Sequence, residues 1–417
     1  MHQPSILFIN RVFPPDRGAT GRCLADLASR FAERGWCVTV LAGGGAPLPH
    51  DPPGLVPGLT VVRAGPPGGG ATTGSIDYVL AFGRLLVAAL RLPRHDVVVT
   101  MTDPPLLAVI GPILRAFRSC GLIHWSHDLY PDLFPIIGVK PPRLVLTALD
   151  MVAGAALRRY DSVIAIGDCM ARRILGKGVM SERVEVVPNW ADPAIRPVPR
   201  AANRIRRELG LGDRFTVAYS GNFGLAHPFG ALIDAAATLA HQAPEIQFLL
   251  IGEGRGLARV RREIEDRALP NLRLLPWQPA DRLAESLGAA DLHLASMDER
   301  AEGMLVPSKV AGALAAGRPC LLLGSPGSAA ACLIVDHGCG SVLPPGDGQG
   351  LARAIMVHAT DPHFHDKACA RASEVALTWS ADRAADAFIA KAYEAIRRSS
   401  RPVEPKPAAS STIGGSD

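Results

Sequence analysis

Short runs of β-branched and aliphatic residues alternate with longer stretches of helical periodicity from one end of the chain to the other. In the first half the runs are Ser5–Asn10, Val38–Leu41, Leu59–Arg63, Val97–Met101, Leu122–Trp125, Ser162–Ile166 and Val184–Val187. Between them Thr20–Arg34, Ile76–Leu92, Leu106–Arg118, Arg143–Arg159 and Asp168–Gly176 read as helices. The runs are continuously apolar rather than alternating, which predicts strands covered on both faces and hence a parallel sheet. Strand–helix alternation predicts a doubly wound α/β domain. Pro188–Arg207, with four prolines and a charged cluster, interrupts the pattern and reads as a hinge. A second series follows at Thr216–Ser220, Gln247–Ile251, Leu272–Leu275, Leu292–Ala295, Cys320–Leu323 and Ser341–Leu343. The predicted organisation is an α/β domain over 1–190, a hinge over 191–210 and a second α/β domain over 211–375. A helical segment over 376–399, mainly Ala381–Ser399, is placed to cross back to the first domain, and the Pro/Ser/Gly-rich tail over 400–417 reads as disordered. Two tandem Rossmann-like sheets facing each other place a ligand in the cleft between them, outside the carboxyl ends of the strands.

At 417 residues the chain is long enough for two good cores. With 48% hydrophobic and 5% aromatic residues it is globular, neither disordered nor collagen-like. A net charge of +5 is too weak for a nucleic-acid arm, and suits an anionic ligand or an anionic membrane surface. The eight cysteines form no C-x-x-C and no zinc-type spacing, which predicts a reduced, cytoplasmic setting. The N-terminus MHQPSILFINRVFPP reads as a first strand rather than an export signal. The apolar stretch Pro104–Leu114 is stopped by Arg115 before it could span a bilayer.

Candidate chemistry sits at strand-to-loop junctions. Asn10-Arg-Val-Phe-Pro-Pro-Asp-Arg-Gly-Ala-Thr-Gly21 leads into a helix, where Gly18 and Gly21 permit close backbone approach and the helix start offers free N–H groups to an anion. An ordinary βα loop would look the same. Ile251-Gly-Glu-Gly-Arg-Gly256 falls short of the dinucleotide fingerprint because Leu257 replaces its third glycine. His124-Trp-Ser-His-Asp128 places His127 and Asp128 where a buried strand opens to the cleft. His124 reads as a satisfied core residue, and no partner has the spacing for a metal site. Tyr219-Ser-Gly-Asn-Phe-Gly-Leu-Ala-His-Pro228 offers Gly221, Asn222 and Gly224 as a phosphate cradle, with His227 either serving it or packing. In Glu299-Arg-Ala-Glu-Gly-Met-Leu-Val-Pro-Ser-Lys309, Ser308 takes a helix-cap position and Lys309 the first turn. A cation there opposes the helix dipole unless an anion is bound, or unless it is a solvated surface lysine.

From that last motif outward the chain resembles the family-four retaining glycosyltransferases of the GT-B fold, in the branch that builds bacterial surface polysaccharides of the O-antigen, colanic acid and capsule types. The resemblance rests on Glu302-Gly, Val306-Pro-Ser-Lys309 and Leu314-Ala-Ala-Gly-Arg-Pro319, with His127-Asp-Leu-Tyr-Pro-Asp132, Val187-Pro-Asn-Trp190, Tyr219-Ser-Gly-Asn222, Leu250-Ile-Gly-Glu-Gly254 and Leu275-Pro-Trp-Gln-Pro279 in order along nearly the whole sequence.

The resemblance implies transfer of a sugar from a nucleotide diphosphate donor, UDP by family habit, to a saccharide or lipid-linked acceptor, with the anomeric configuration retained. It implies that Glu302 contacts the donor sugar, Gly303 gives backbone access to it, and Ser308 and Lys309 lie beside the nucleotide phosphates or ribose. Gly221 and Asn222 match the diphosphate loop, Trp277-Gln278 the segment framing the base, and Gly18 the acceptor-domain loop. No cofactor and no metal are implied, and the leaving phosphate itself can deprotonate the acceptor. Two departures stand out: Gly312 replaces the acid that most members use to read the ribose, and Asn222 and His227 replace an Arg and a Lys, which shifts weight to Lys309. Arg84 with Arg91, and Arg115 with Arg118, share helix faces beside apolar residues and are compatible with peripheral contact with an anionic membrane or with a solvated basic surface. A nucleotide-sugar epimerase and a non-catalytic sugar-nucleotide-binding subunit are the alternative functions.

Overall fold

The computed structural model describes residues 3–16, 18–44, 56–65, 74–224 and 226–399. The tail over 400–417 lies outside the described residues. The first lobe contains β1 (Ser5–Ile9), α1 (Ala19–Glu33), β2 (Cys37–Ala42), β3 (Leu59–Arg63), α2 (Ser75–Arg91), β4 (Val97–Thr100), α3 (Ile110–Phe117), β5 (Gly121–Ser126), α4 (Arg143–Leu157), β6 (Ser162–Ala165), α5 (Asp168–Gly176) and β7 (Val184–Val186). The second contains α6 (Arg204–Glu208), β8 (Thr216–Ser220), α7 (Gly230–Gln242), β9 (Gln247–Ile251), α8 (Leu257–Arg267), β10 (Leu272–Leu275), α9 (Leu283–Gly288) and β11 (Leu292–Ser296). It continues with α10 (Lys309–Ala315), β12 (Cys320–Leu323), α11 (Ala329–His337), β13 (Gly340–Leu343), α12 (Gly348–Thr360) and α13 (Pro362–Thr378), before α14 (Ala381–Ser399).

Among the described residues the strands form two parallel sheets, β3-β2-β1-β4-β5-β6-β7 and β10-β9-β8-β11-β12-β13. Strand order reverses between β1 and β4 in one sheet and between β8 and β11 in the other, and the cleft lies at those switch points. β4, β5, β9, β11 and β12 are buried along their whole length, as helices on both faces require.

The helix expected from Leu106 begins as α3 only at Ile110. Leu106 has φ 65°, a left-handed conformation that cannot continue a helix, and Leu107–Val109 form a 3₁₀ turn. The boundary expected at 375 falls inside α13. The hinge is firmly anchored at its far end: Asn203 caps α6 through the Arg206 amide, and the buried Arg206 guanidinium donates to the Ala289, Gly212 and Arg214 carbonyls beside the fully buried Asp291.

α14 crosses back and packs on the first sheet. Phe388 meets Trp125 edge-on at 4.8 Å, and Ala395 lies so near Gly121 that a Cβ there would sit 2.7 Å from the alanine methyl. Arg30 and Arg34 of α1 pair with Asp382, and Arg34 also with Asp386. A second contact joins the lobes beside the cleft. The Leu129 amide donates to the Met304 carbonyl at 2.7 Å, Asp128 and Leu305 form a β-bridge, and Arg173 Nε donates to the Glu302 carbonyl at 2.6 Å.

Candidate functional site

The cleft between the lobes has a volume of about 980 Å³. Its second-lobe wall is built where two loops cross. The Gly221 amide donates to the Ile251 carbonyl at 2.9 Å and the Phe223 amide to the Glu253 carbonyl at 2.8 Å. Gly252 and Gly254, with φ of 140° and 144°, leave no room for side chains: a Cβ on Gly252 would overlap the Gly221 carbonyl oxygen, and one on Gly254 would sit 2.7 Å from the Phe223 nitrogen. The near-fingerprint glycines thus serve loop packing.

Gly221, at φ 141°, makes room for Lys309, whose Cε would lie 2.7 Å from a Cβ there. The Lys309 ammonium sits 5.0 Å above the Tyr219 ring, has no ion-pair partner among the described residues, and is pushed down to about 8 by burial. His227 donates from Nδ1 to the Ser296 carbonyl, an acceptor only, so Nε2 carries the lone pair. Burial and the Lys309 charge push His227 down to about 3, so it is neutral, and Asn222 is exposed. Lys309 is therefore the cation that the second lobe offers to the cleft among the described residues. Ser308 occupies the N-cap position of α10 without bonding a backbone amide, leaving its exposed hydroxyl available. Gly312 faces Leu287 and Ile195, so this end of the cleft is apolar where an acid was the family habit. Trp277 and Gln278 close the far end, and the Arg22 guanidinium of the first lobe lies 5.8 Å from the Trp277 ring centre.

On the first-lobe wall Gly18 starts α1 in an extended conformation. A Cβ there would meet Val12 Cγ1 at 2.9 Å, so the glycine is set by packing. His127 is 5% exposed. Asn189 Nδ2 lies 3.4 Å from its Nδ1, its Nε2 has no partner, and burial lowers it to about 3. The Asp128 carboxylate has no hydrogen-bond partner among the described residues. Burial, then the nearby Asp103 charge, raises it to about 7. His124 is held in the core, with Nδ1 3.0 Å from Thr100 Oγ1. Among the described residues no three His, Cys, Asp or Glu groups converge to hold a metal.

The cleft thus gathers Gly18, His127 and Asp128 from one lobe and Gly221, Asn222, His227, Trp277, Gln278, Ser308 and Lys309 from the other. Glu302 and Gly303 do not line it. The Glu302 carboxylate accepts from the Ser325 hydroxyl and lies 3.9 Å from Arg172, while Gly303, at φ 72°, presses against the Cys169 carbonyl of α5. The sequence reading passed over two cleft residues, Asn189 and Arg22. Arg22 carried the signal read at Lys309, a cation close to a helix start. Asn189 carried none beyond its place in Val187-Pro-Asn-Trp190.

The basic helix faces divide. Arg84 and Arg91 are exposed, whereas Arg115 pairs with Asp161 and Arg118 donates to the Leu92 carbonyl at 2.6 Å, fixing the end of α2. Both of the latter therefore hold the fold together. No helix among the described residues is long and apolar enough to cross a membrane.

Paired parallel-sheet lobes with a cleft at both switch points define the GT-B fold. Residues 18–190 match the Glycosyl transferase 4-like domain and residues 214–361 the Glycosyl transferases group 1 domain. It is 32% identical over 166 residues to the putative colanic acid biosynthesis glycosyl transferase WcaI of Escherichia coli, covering 39% of this chain and 40% of that protein. It is 27% identical over 268 residues to the probable glycosyltransferase WbjE of Pseudomonas aeruginosa, covering 64% of this chain and 66% of that one. Sucrose-phosphate synthase from Thermosynechococcus elongatus superposes with a TM-score of 0.77 at 19% identity, over 95% of this chain and 100% of that one. Anabaena HepE, solved with UDP and glucose, superposes with a TM-score of 0.70 at 19% identity, over 93% and 99%.

Proposed function

We propose that the protein is a retaining glycosyltransferase that moves a sugar from a nucleotide diphosphate donor, UDP-linked by preference, to a saccharide acceptor, lipid-linked, in bacterial surface-polysaccharide assembly. The observation that carries this reading is the unpaired Lys309 ammonium on one wall of the cleft, with Asp128, whose carboxylate has no partner among the described residues, and His127 lining the other. The names of WcaI and WbjE support the reaction class, and the UDP and glucose in HepE support the donor.

In this reaction the bond from the anomeric carbon to the diphosphate oxygen breaks as the acceptor hydroxyl bonds to the same face of that carbon. Negative charge grows on the departing diphosphate, and Lys309 and the exposed Asn222 amide meet it in a partly dry site. The acceptor proton passes to the released phosphate. Asp128 holds the acceptor hydroxyl, and neutral His127 and His227 bond sugar hydroxyls. Glu302 reaches the sugar only if its carboxylate turns from Ser325 towards the cleft. Glu302→Gln tests this: kcat falls with donor Kd unchanged, and an unchanged kcat makes Glu302 a brace of the lobe seam.

The acceptor lobe is proposed to rest on an anionic bilayer through α2, α3 and α4, where Ile76, Val79, Phe117, Leu144 and Met151 are each at least 68% exposed and Arg84 and Arg91 flank them. Incubating the protein with labelled UDP-sugars and bacterial membranes tests the activity. Label in the lipid extract supports it, free epimerised sugar nucleotide supports an epimerase, and binding without turnover supports a silent subunit. Flotation with anionic but not neutral vesicles tests the docking.

A further inference from the structure

A sugar nucleotide brings two negative charges on its diphosphate. The loop expected to meet them has none to offer in return, since Asn222 is uncharged and His227 is held neutral by burial and by its bond to the Ser296 carbonyl. Among the described residues lining the cleft two are lysine or arginine: Lys309 on the donor lobe and Arg22 on the acceptor lobe. Arg22 stands in the second turn of α1, near the positive end of that helix, where the dipole disfavours a cation. It has no carboxylate partner among the described residues, although Asp26, one turn along, is occupied by Arg30 and the Trp190 indole. What holds the guanidinium is the Trp277 ring across the cleft, at 5.8 Å, a contact worth little where solvent reaches it.

We propose that Arg22 is the second phosphate-binding cation of this enzyme, resting on Trp277 and passing to the donor diphosphate when it binds. The proposal builds on the sugar-nucleotide reading above and adds a consequence to it. With one cation on each lobe, the donor itself ties the lobes together, and removing the diphosphate returns Arg22 to the indole. A diphosphate offers it two charge-assisted hydrogen bonds in place of one weak ring contact, so the exchange favours the ligand.

The test compares UDP with uridine on the full-length protein by calorimetry, for wild type, Arg22→Gln, Arg22→Lys and Trp277→Leu, at several salt concentrations. Arg22→Gln is expected to weaken UDP about tenfold or more, flatten the salt dependence, and leave uridine unchanged; Arg22→Lys recovers part of the loss. Trp277→Leu, which frees Arg22, leaves the salt dependence of UDP as in wild type. Small-angle scattering is expected to show compaction with UDP in wild type and not in Arg22→Gln. If wild type binds UDP and Arg22→Gln binds it equally well, or loses uridine and UDP in equal measure, the Arg22 assignment is overturned while the donor reading stands. If wild type binds none of UDP, GDP and ADP, the donor reading falls first.

Discussion

Lys309→Met removes the ammonium and keeps the length and packing of the side chain. That ammonium is half-buried without a counter-charge among the described residues, and burial brings it from its ordinary 10.5 to about 8. That fall corresponds to about 3 kcal/mol at roughly 1.4 kcal/mol per factor of ten in proton affinity. Residual solvent contact and the Tyr219 ring return part of it, leaving about 1–2 kcal/mol against the folded state. The sign follows from proton counts. Between pH 8 and 10.5 the unfolded chain keeps the proton and the folded one releases it, so wild-type stability rises with pH across that window. The methionine variant lacks this dependence. It is expected to be more stable than wild type by about 1–2 kcal/mol at pH 7, with the gap closing as pH approaches 10.5. Urea denaturation at pH 7, 8.5 and 10 measures it, alongside UDP affinity, which the same substitution is expected to weaken about tenfold or more. A variant less stable than wild type at pH 7, or a gap constant with pH, refutes the picture of an uncompensated ammonium waiting for an anion.

Three further outcomes follow from the same geometry. Asp128, raised to about 7 by burial and Asp103, becomes a stronger, charge-assisted acceptor for the acceptor hydroxyl once it loses its proton; kcat/KM is expected to rise with pH through about 7, and Asp128→Asn to abolish that limb, whereas a limb that survives assigns it elsewhere. With apolar Leu287 and Ile195 around Gly312, the ribose 2′-hydroxyl finds no carboxylate there, so UDP and 2′-deoxy-UDP are expected to bind within about threefold of each other, less than one hydrogen bond's worth; a tenfold preference for UDP in calorimetry contradicts this. Gly252→Ala places a methyl in the Gly221 carbonyl at a φ of 140°, for an expected loss of about 2–6 kcal/mol in urea denaturation; a loss under about 1 kcal/mol would mean the crossed loops are free to part.

Elements buried on both faces were the easiest to read. Cys320–Leu323 and Gln247–Ile251, the latter apolar from Phe248 on, are short runs without a charge, and the structure begins and ends those strands at the same residues. Leu106 misled the reading because its side chain is a good helix former while its backbone is left-handed, a property set by neighbours rather than by the residue. The ion pair between Arg206 and Asp291, at 3.3 Å, was hidden for a different reason: its partners lie far apart in sequence, and a charged cluster next to prolines looks like a solvated hinge. At the site, glycines and prolines marked the loops correctly because backbone geometry leaves a local trace. The direction of the Glu302 carboxylate leaves none, since it is decided by Ser325 and Arg172, brought in from separate elements.

The return of α14 to the first sheet bears on how the chain is made. Trp125 and Trp36, near the heart of the first lobe, lie against Phe388 and Tyr393, residues that leave the ribosome only after the strands of both lobes have been made. The earlier-made lobe must therefore wait, with part of its greasy surface uncovered, until the later-made lobe has emerged in full. A nascent chain halted before residue 381 should be a client for chaperones rather than a free-standing half-enzyme.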